Sequence, residues 1–391
     1  MDNEKLMSFV KKYTMIIVLV LVTAFFGWKT GGKLFLPQNV TNLIAQNAYV
    51  FVLATGMLLC ILTGGNIDLS VGSVVCFVGA VGATLMQKNW NILAAVLMML
   101  VIGLAIGVWQ AFWIAYVRVP PFITTLSGML IFRGLSNVVL NGMTVSVQNE
   151  TFIKVFGGGA NCYISDLFNG KDFNLTCMVA GIIACVIYVA IQIGNRTSRL
   201  KKGYEVGSFF GMLARIVVIS AVILVFSYKL AQYKGIPTAL VWVLIVVLVY
   251  GYITSKTTVG RYFYAVGGNE KATRLSGINT NKVYFLAYAN MGFLAGLAGI
   301  LTIARMTSAQ PTYGQNYEMD AIGACFIGGA SAYGGIGTVP GVIIGAVLMG
   351  VINLGMSIMG VDSNFQKVVK GAVLLAAVIF DVVTKKANKN N

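Results

Sequence analysis

The chain contains no histidine, and only 10% of its 391 residues are charged. Histidine is the side chain that most often serves as general base, proton relay and metal ligand near neutral pH, so its absence argues against those functions. The sequence also lacks the Gly-x-x-x-x-Gly-Lys-Ser/Thr pattern with which a P-loop holds nucleotide phosphates. We therefore expect that the chain does not hydrolyse ATP and that it binds no cofactor or metal itself.

Acidic residues are also scarce, and there are 12 of them in all. Asp68, Glu318 and Asp320 stand at the borders of apolar segments, and Asp381 lies near the end of the last segment. No nucleophile or set of metal ligands accompanies them, so the pattern disfavours an enzyme site.

Apolar sequence is abundant instead. Hydrophobic residues make up 58% of the chain, the mean hydropathy is +0.82, and there are 45 glycines but only 6 prolines. An ordinary soluble domain is about half apolar and about a quarter charged. The composition therefore predicts an integral membrane protein, and its glycines suit helices that pack closely within a bilayer.

About twelve apolar segments, most of them long enough to span a bilayer, follow one another along the chain. They lie near residues 13–28, 43–63, 70–86, 92–117, 122–140, 175–194, 212–228, 237–254, 283–304, 319–337, 340–358 and 365–384. Lipid offers no partner for unpaired backbone groups, so we expect these segments to be helices. Two pairs of segments are joined only by residues 64–68 and 334–340, and interrupted helices in both halves indicate a translocation path between repeats.

Basic residues are more numerous in one set of alternating loops than in the other. By the positive-inside rule, the richer set is cytoplasmic, and it includes both termini and residues 260–282. Residues 141–174 then form the largest extracytoplasmic loop, and the N-terminal apolar run is an uncleaved first helix. The net charge of +16 reflects this topology, and its dispersal over short loops disfavours nucleic-acid binding. Snorkelling to the cytoplasmic interface explains one or both of Arg118 and Arg133.

The polar segment 260–282 has the features of a short helix. Asn269 is a good N-cap, and Glu270 suits the positive end of a helix dipole. Residues 271–276 supply about two turns, and Gly277 is placed to stop them. The sequence therefore predicts a short amphipathic helix between two apolar segments.

Two side-chain pairs give this helix its faces. Ala272 and Leu275, three residues apart, offer a small apolar face, while Glu270 and Arg274, four residues apart, can pair on an exposed side. Such a helix can bind a partner protein or can be a solvated connector. The residues alone leave both possibilities open.

Five long stretches of the chain carry a resemblance to a known family. They are residues 64–73 (GGNIDLSVGS), 119–134 (VPPFITTLSGMLIFRG), 260–279 (GRYFYAVGGNEKATRLSGIN), 304–322 (ARMTSAQPTYGQNYEMDAI) and 328–337 (GGASAYGGIG). With these motifs the sequence resembles the integral-membrane permease subunits of bacterial monosaccharide ABC importers, of the ribose, xylose, galactose and multiple-monosaccharide type. An insertion near residues 175–235, with two further apolar segments, looks like the xylose and multiple-monosaccharide branch.

The resemblance implies a fold and a set of partners. The fold is an all-α polytopic membrane protein of the type II ABC importer kind, with about 10–12 transmembrane helices in a single domain over residues 1–391. The partners are a second permease copy, cytoplasmic ATPase subunits that bind ATP and Mg²⁺, and an extracytoplasmic sugar-binding protein. The location is the bacterial inner membrane. The family's coupling helix, which contacts the ATPase, maps onto Gly268, Asn269, Glu270, Ala272, Arg274, Leu275, Ser276 and Gly277.

The residues of the path are less clearly indicated. Asn66, Asp68 and Ser70 lie at one helix break, and Glu318 and Asp320 begin another broken segment. These polar groups are expected to face protein or water, and a role in capping helices and holding the breaks is favoured over direct contact with a sugar.

Other functions stay open beside this one. Related permeases carry nucleosides or other small polar solutes, and a secondary transporter could couple protons or sodium ions through Asp68 and Asp320. A scaffold subunit without a transport path is a further alternative.

Overall fold

The structure is a computed structural model, and it describes residues 3–157, 162–168, 170 and 173–389. Within those residues the helices are α1 (Asn3–Lys29), α2 (Pro37–Leu62), α3 (Val71–Gln87), α4 (Ile92–Ala115), α5 (Pro121–Leu140), α6 (Glu150–Phe156), α7 (Leu175–Lys201), α8 (Phe209–Ala231), α9 (Thr238–Lys256), α10 (Thr258–Gly268), α11 (Glu270–Leu275), α12 (Thr280–Met306), α13 (Tyr317–Ile327), α14 (Val339–Ile358) and α15 (Ser363–Lys389). A short 3₁₀ helix covers Lys33–Phe35, and two strands, β1 (Val145–Ser146) and β2 (Ser308–Ala309), pair antiparallel.

Among the described residues, eight helices are long and apolar enough to cross a membrane: α2, α4, α5, α7, α8, α9, α12 and α14. Helix α3 and residues Thr14–Lys29 of α1 are shorter apolar helices. All twelve predicted apolar segments coincide at least in part with a helix. The prediction of an all-α polytopic membrane protein is therefore confirmed.

One predicted segment, residues 319–337, is shorter than expected. Its helix, α13, ends at Ile327, and the chain continues without regular structure to α14. The reason lies in the backbone, because Gly329, Gly334, Gly335 and Gly337 all have positive φ angles that continue no right-handed helix. We call residues 328–338 the second connection.

A similar break follows α2. Residues 63–70, which we call the first connection, leave the helix at Thr63 and contain Gly64 and Gly65 with φ angles of 121° and 76°. Helix α3 then starts at Val71. The predicted breaks between these segments are confirmed.

The chain divides into two compact units. One unit comprises Met1–Leu34, Leu43–Cys162 and Ala239–Asn391, and the other comprises Phe35–Asn42 and Tyr163–Thr238. In the second unit α7 and α8 run side by side, with the Sγ atoms of Cys177 and Cys185 donating to carbonyl groups of α8. These two helices are the additional apolar segments expected near residues 175–235.

Helices α4 and α12 pack at the centre of the first unit through glycines. A Cβ added at Gly103 would lie 2.6 Å from the Gly292 oxygen, and one added at Gly107 would lie 2.8 Å from the Gly292 Cα. A Cβ at Gly296 would be tighter than an ordinary contact as well, with the Met99 oxygen 3.2 Å away. The two backbones therefore approach closely without a side chain between them, as in many membrane helix pairs.

Within the first unit, α11 lies at the end where α2 and α4 finish and α5 and α12 begin. The β1–β2 pair lies at the other end of α5 and α12. Arg133 reaches that second end, where its Nη1 donates to the carbonyl oxygens of Pro311 at 3.0 Å and Tyr313 at 2.6 Å. Snorkelling at the interface near Arg118 was expected to explain one or both arginines, and it does not explain Arg133, because twelve residues of helix carry Arg133 about 18 Å along α5 from Pro121.

Candidate functional site

Helix α11 forms where the sequence predicts it. The Asn269 side chain accepts a hydrogen bond from the Ala272 backbone N–H at 3.0 Å, so Asn269 is the N-cap. The helix runs from Glu270 to Leu275, and Gly277 follows in the left-handed conformation with φ of 84°. The predicted cap and stop are both confirmed.

The outer face of α11 is exposed. Thr273 is buried against the first unit, whereas Lys271, Ala272 and Arg274 are exposed. Leu275 is 90% exposed. The predicted apolar pair, Ala272 and Leu275, therefore points away from the protein that carries it. Gly268, Ser276 and Gly277 are exposed as well.

Glu270 does not pair with Arg274. Its Oε1 atom accepts from the Arg118 Nη2 at 2.9 Å, and its Oε2 atom accepts from the Tyr284 hydroxyl at 3.1 Å. The predicted pair within the helix is wrong because the carboxylate turns inward to α12, where the α4–α5 turn supplies a cation. Partial burial raises the pKa of Glu270, but the hydrogen bond and charge of Arg118 outweigh it, so the pKa lies below its usual value.

Backbone packing joins the end of α10 to the end of α2 and to the second connection. A Cβ added at Gly267 would lie 1.7 Å from the Leu62 oxygen and 2.4 Å from the Gly335 nitrogen. The Gly335 N–H donates to that same Leu62 oxygen at 3.0 Å. Three segments far apart in sequence thus meet here, and no residue larger than glycine fits at position 267 without a shift of the backbone.

The two connections also pack directly on each other. A Cβ at Gly65 would lie 1.9 Å from the Ala332 oxygen, and one at Gly334 would lie 2.5 Å from the Gly64 Cα. The Tyr264 hydroxyl of α10 adds a hydrogen bond to the Gly337 oxygen at 2.9 Å. We call the meeting of residues 64–65, 267–268 and 334–335 the glycine junction. Each part of it is a Gly-Gly pair, which is the signal in the sequence that could have indicated it.

The first connection carries a buried polar cluster. Asp68 is 2% exposed, and its Oδ1 accepts from the Ser70 N–H at 2.8 Å and from the Ser70 hydroxyl at 2.6 Å. Gln110 of α4 donates through Nε2 to the Ser70 oxygen at 2.8 Å. The N-cap of α3 is Ser70, not Asp68, so Asp68 holds the residue that begins the helix. Asn66 lies nearby and donates to the Thr63 oxygen at 3.3 Å.

Glu318 and Asp320 are both buried in the first turn of α13. Asp320 is 1% exposed and forms an ion pair with Lys370 of α15, with the Nζ atom 2.9 Å from Oδ1. The hydroxyl of Tyr49 from α2 donates to Asp320 Oδ2 at 2.6 Å. The Glu318 carboxylate packs against Gly72, where an added Cβ would lie 2.4 Å from its Oε2 atom.

Lys370 was not identified as a functional residue from the sequence, although its position in the sequence indicates one. A lysine within an apolar segment such as 365–384 needs a buried partner, and Asp320 supplies one. Asp68 and Asp320 have different partners, which are Ser70 of the first connection for Asp68, and Tyr49 of α2 and Lys370 of α15 for Asp320. Within the described residues, no group of three or more Cys, Asp or Glu side chains is placed to hold a metal ion.

The family model described as "Branched-chain amino acid transport system / permease component" matches residues 39–378. The chain belongs to this family. It is therefore a permease component of a membrane transport system and not an enzyme. The match includes both connections, the glycine junction and α11.

Three curated relatives extend the comparison over most of the chain. The xylose transport system permease protein XylH of Escherichia coli K12 is 34% identical over 377 residues, which are 96% of this chain and 92% of that protein. XylH of Haemophilus influenzae is 36% identical over 376 residues, 96% of each chain. The ribose import permease protein RbsC of Escherichia coli K12 is 36% identical over 348 residues, 89% of this chain and 86% of that protein. No solved structure matches the chain.

Proposed function

We propose that this chain is the membrane permease subunit of an ATP-driven ABC importer that moves a monosaccharide of the xylose, galactose, glucose, arabinose or ribose class into the cytoplasm. The names of the relatives support the substrate class, since XylH is a xylose permease protein and RbsC is a ribose permease protein. The identity extends over nearly the whole of both xylose relatives, so it is not confined to one motif.

The observation that carries the proposal is the position of α11. Its outer face, with Ala272, Arg274 and Leu275, is exposed outside the apolar spans. Its inner side continues into the glycine junction, which touches both connections. A short helix held in this way can transmit the closure of a partner as a push on the helix breaks, whereas a flexible loop would absorb it.

The partners follow from this arrangement. An ATPase subunit binds the outer face of α11 and supplies the ATP and Mg²⁺, and a soluble sugar-binding protein delivers the sugar at the opposite side of the membrane. Two copies of the permease form the translocation unit, with residues 1–391 acting as one permease domain and residues 260–282 as its coupling loop. Both termini and α11 face the cytoplasm of a bacterial cell, across the inner membrane.

The path follows the two helix breaks. The polar groups that can gate it are Asn66, Asp68, Ser70, Glu318 and Asp320. The bonds of Asn66 and Asp68 within the first connection, and those of Ser70 and Asp320 to neighbouring helices, support a role in holding the breaks in shape, since a buried polar group without a partner is costly. Sugar specificity then depends on other side chains along the path.

Reconstitution tests the proposal. The permease is placed in proteoliposomes with candidate ATPase and binding proteins, and uptake of radiolabelled monosaccharides is measured with and without ATP. We expect uptake that needs ATP and the loaded binding protein and that is unaffected by an uncoupler. Uptake by the chain alone, abolished by an uncoupler, would identify a secondary transporter instead. Uptake of nucleosides but not sugars would identify an ABC permease with a different substrate. No flux with any partner would indicate a scaffold subunit without a transport path.

A further inference from the structure

Arg118, in the turn between α4 and α5, lies at the centre of a cluster that holds α11. Its Nη2 atom lies 2.9 Å from Glu270 Oε1, 2.5 Å from Asn281 Oδ1 and 3.3 Å from Thr280 Oγ1. Its guanidinium also lies over the Tyr284 ring, 5.1 Å from the centroid. One side chain therefore joins three elements: the α4–α5 turn, the first residue of α11 and the start of α12.

The backbone at Arg118 is strained. Its φ of 64° places a side chain with a Cβ in the left-handed region, which glycine adopts much more easily. Such a conformation persists only where the surrounding contacts determine it, and it is found often at functional sites. The contacts here are the acceptors on α11 and α12. The turn therefore positions α11, and α11 in turn stabilises the conformation of the turn.

Helix α11 needs an external anchor. Its six residues are too few for a stable isolated helix. Glu270 is fixed at both carboxylate oxygens, by Arg118 and by Tyr284, and Thr273 is buried behind it. These contacts lie on the side of α11 opposite to Leu275. The direction in which Leu275 points is therefore set by the anchors at Glu270.

We propose that Arg118 is a positioning residue that fixes α11, through Glu270, in the orientation that presents Leu275 to the partner ATPase. The pair makes the α4–α5 turn and α11 move as one body. This inference rests on the proposed function for the identity of the partner, but the orientation of α11 is a property of the permease alone. Exposed ion pairs often contribute little. This one differs because a planar guanidinium contacts three acceptors and a ring at once.

A spin label reports the orientation directly. The six native cysteines are all buried, so a nitroxide attached at Leu275→Cys has little competition from them, and the unsubstituted protein gives the background. Electron paramagnetic resonance spectra are recorded for the purified permease in proteoliposomes without partners. The variants are Arg118→Gln, Glu270→Gln and the double variant. Because Glu270→Gln keeps the shape of its side chain, it also tests the pair if Arg118→Gln fails to fold.

Arg196 offers a matched control. Its Nη1 donates to the Gly207 oxygen at 2.7 Å, and its guanidinium lies 5.6 Å from the Phe209 ring centroid, so it too combines a hydrogen bond with a cation–π contact. Arg196→Gln therefore removes comparable interactions that do not involve α11. We expect the mobility of the label in this variant to equal that in the parent.

The expected result is a clear increase in label mobility in both single variants, with no further increase in the double variant, because both changes break the same pair. A spectrum of Arg118→Gln like that of the parent would overturn the proposal. An increase in label mobility in Arg196→Gln as large as that in Arg118→Gln would overturn it too.

In the complete complex, we expect stimulation of ATP hydrolysis by loaded binding protein to fall about fivefold or more in Arg118→Gln. Unchanged stimulation despite a mobile label would also overturn the proposal. If no ATPase subunit binds even the parent protein, the proposed function fails, while a mobile label in Arg118→Gln still supports the orienting contact.

Discussion

Gly267 is the position at which one added methyl group tests the glycine junction most directly. In Gly267→Ala the new Cβ would lie 1.7 Å from the Leu62 oxygen and 2.4 Å from the Gly335 nitrogen. Both neighbours are backbone atoms, so no side-chain rotation relieves the overlap. The end of α10 and the end of α2 must separate before the alanine fits, by about 1.7 Å if the Leu62 carbonyl oxygen is to reach ordinary contact.

The size of the effect can be worked from three contributions. Overpacking of this kind costs about 1–3 kcal/mol, and loss of the bond between Gly335 and Leu62 costs about 1 kcal/mol more. Alanine in place of glycine within a helix regains about 1 kcal/mol. The junction is then weakened by about 2 kcal/mol, which favours its separated form about 30-fold relative to the parent.

Gly251 in α9 provides the control, because an added Cβ there has nothing within 4 Å. Gly251→Ala brings the same helix preference without the overlap, so we expect normal transport. In proteoliposomes with partner proteins, Gly267→Ala should lose more than about nine-tenths of ATP-dependent sugar uptake at an equal amount of inserted protein. Equal uptake by the two variants would refute the role of the junction in transmission.

If the Gly267→Ala protein does not insert into the membrane, Tyr264→Phe tests the same junction. This variant removes only the hydroxyl that donates to the Gly337 oxygen at 2.9 Å. Its cost is about 0.5–1.5 kcal/mol, so we expect a partial loss of uptake with normal insertion. Full activity of this variant would show that the contact between α10 and the second connection is not used in transport.

Three further predictions concern α11, the topology and the buried ion pair. Ala272→Asp should abolish stimulation of the ATPase by loaded binding protein, since a mismatched charge at an interface costs several kcal/mol, and full stimulation would contradict a contact there. Impermeant thiol reagents on intact cells should label Met143→Cys, since Met143 is 71% exposed, and should not label Leu275→Cys. The reverse pattern would show that the topology is inverted. Lys370→Met should destabilise the purified permease by about 3–5 kcal/mol because it leaves Asp320 buried without its cation, and adding Asp320→Asn should restore much of the thermal midpoint.

Features of the fold that depend on near neighbours could be predicted from the sequence. Hydropathy is a local property, so it located the helices, and the cap at Asn269 and the stop at Gly277 follow from side chains within one or two turns. The end of α13 was misplaced because residues 328–338 carry no charged side chain and therefore extend the uncharged run that follows Asp320. There the φ angles of the glycines, not hydropathy, end the helix.

The candidate site could be predicted only where it is local. A short helix was predicted between its N-cap, Asn269, and its stop at Gly277, but the partner of Glu270 is Arg118, 152 positions away in sequence. Periodicity within a helix favours a cation four residues on, at Arg274, and it carries no information about a turn between two other helices. Lys370 was missed for the same reason, since its pairing with Asp320 joins α15 to α13.

Helix α11 is attached to the rest of the first unit by two routes that meet again on α4. In one route Glu270 binds Arg118, which lies three residues after the end of α4. In the other, Gly267 packs on Leu62 at the end of α2, which continues into the first connection, and Ser70 of that connection bonds to Gln110 of α4. These contacts form a closed circuit, so a displacement of α11 must either move α4 and the first connection together or break one contact.

Because of these two attachments α11 is held rigidly, and breaking one attachment should have a different consequence from breaking the other. Breaking the ion pair frees the orientation of α11 but leaves its backbone packed on the helix breaks. Breaking the glycine junction leaves α11 oriented toward its partner but disconnects it from the residues around Asp68. The first change should weaken the response to the ATPase in proportion to the loss of orientation, and the second should abolish transport while the ATPase still binds. Because both kinds of variant can be made in the same chain, the order in which binding and transport fail distinguishes a mechanical link from a general loss of stability.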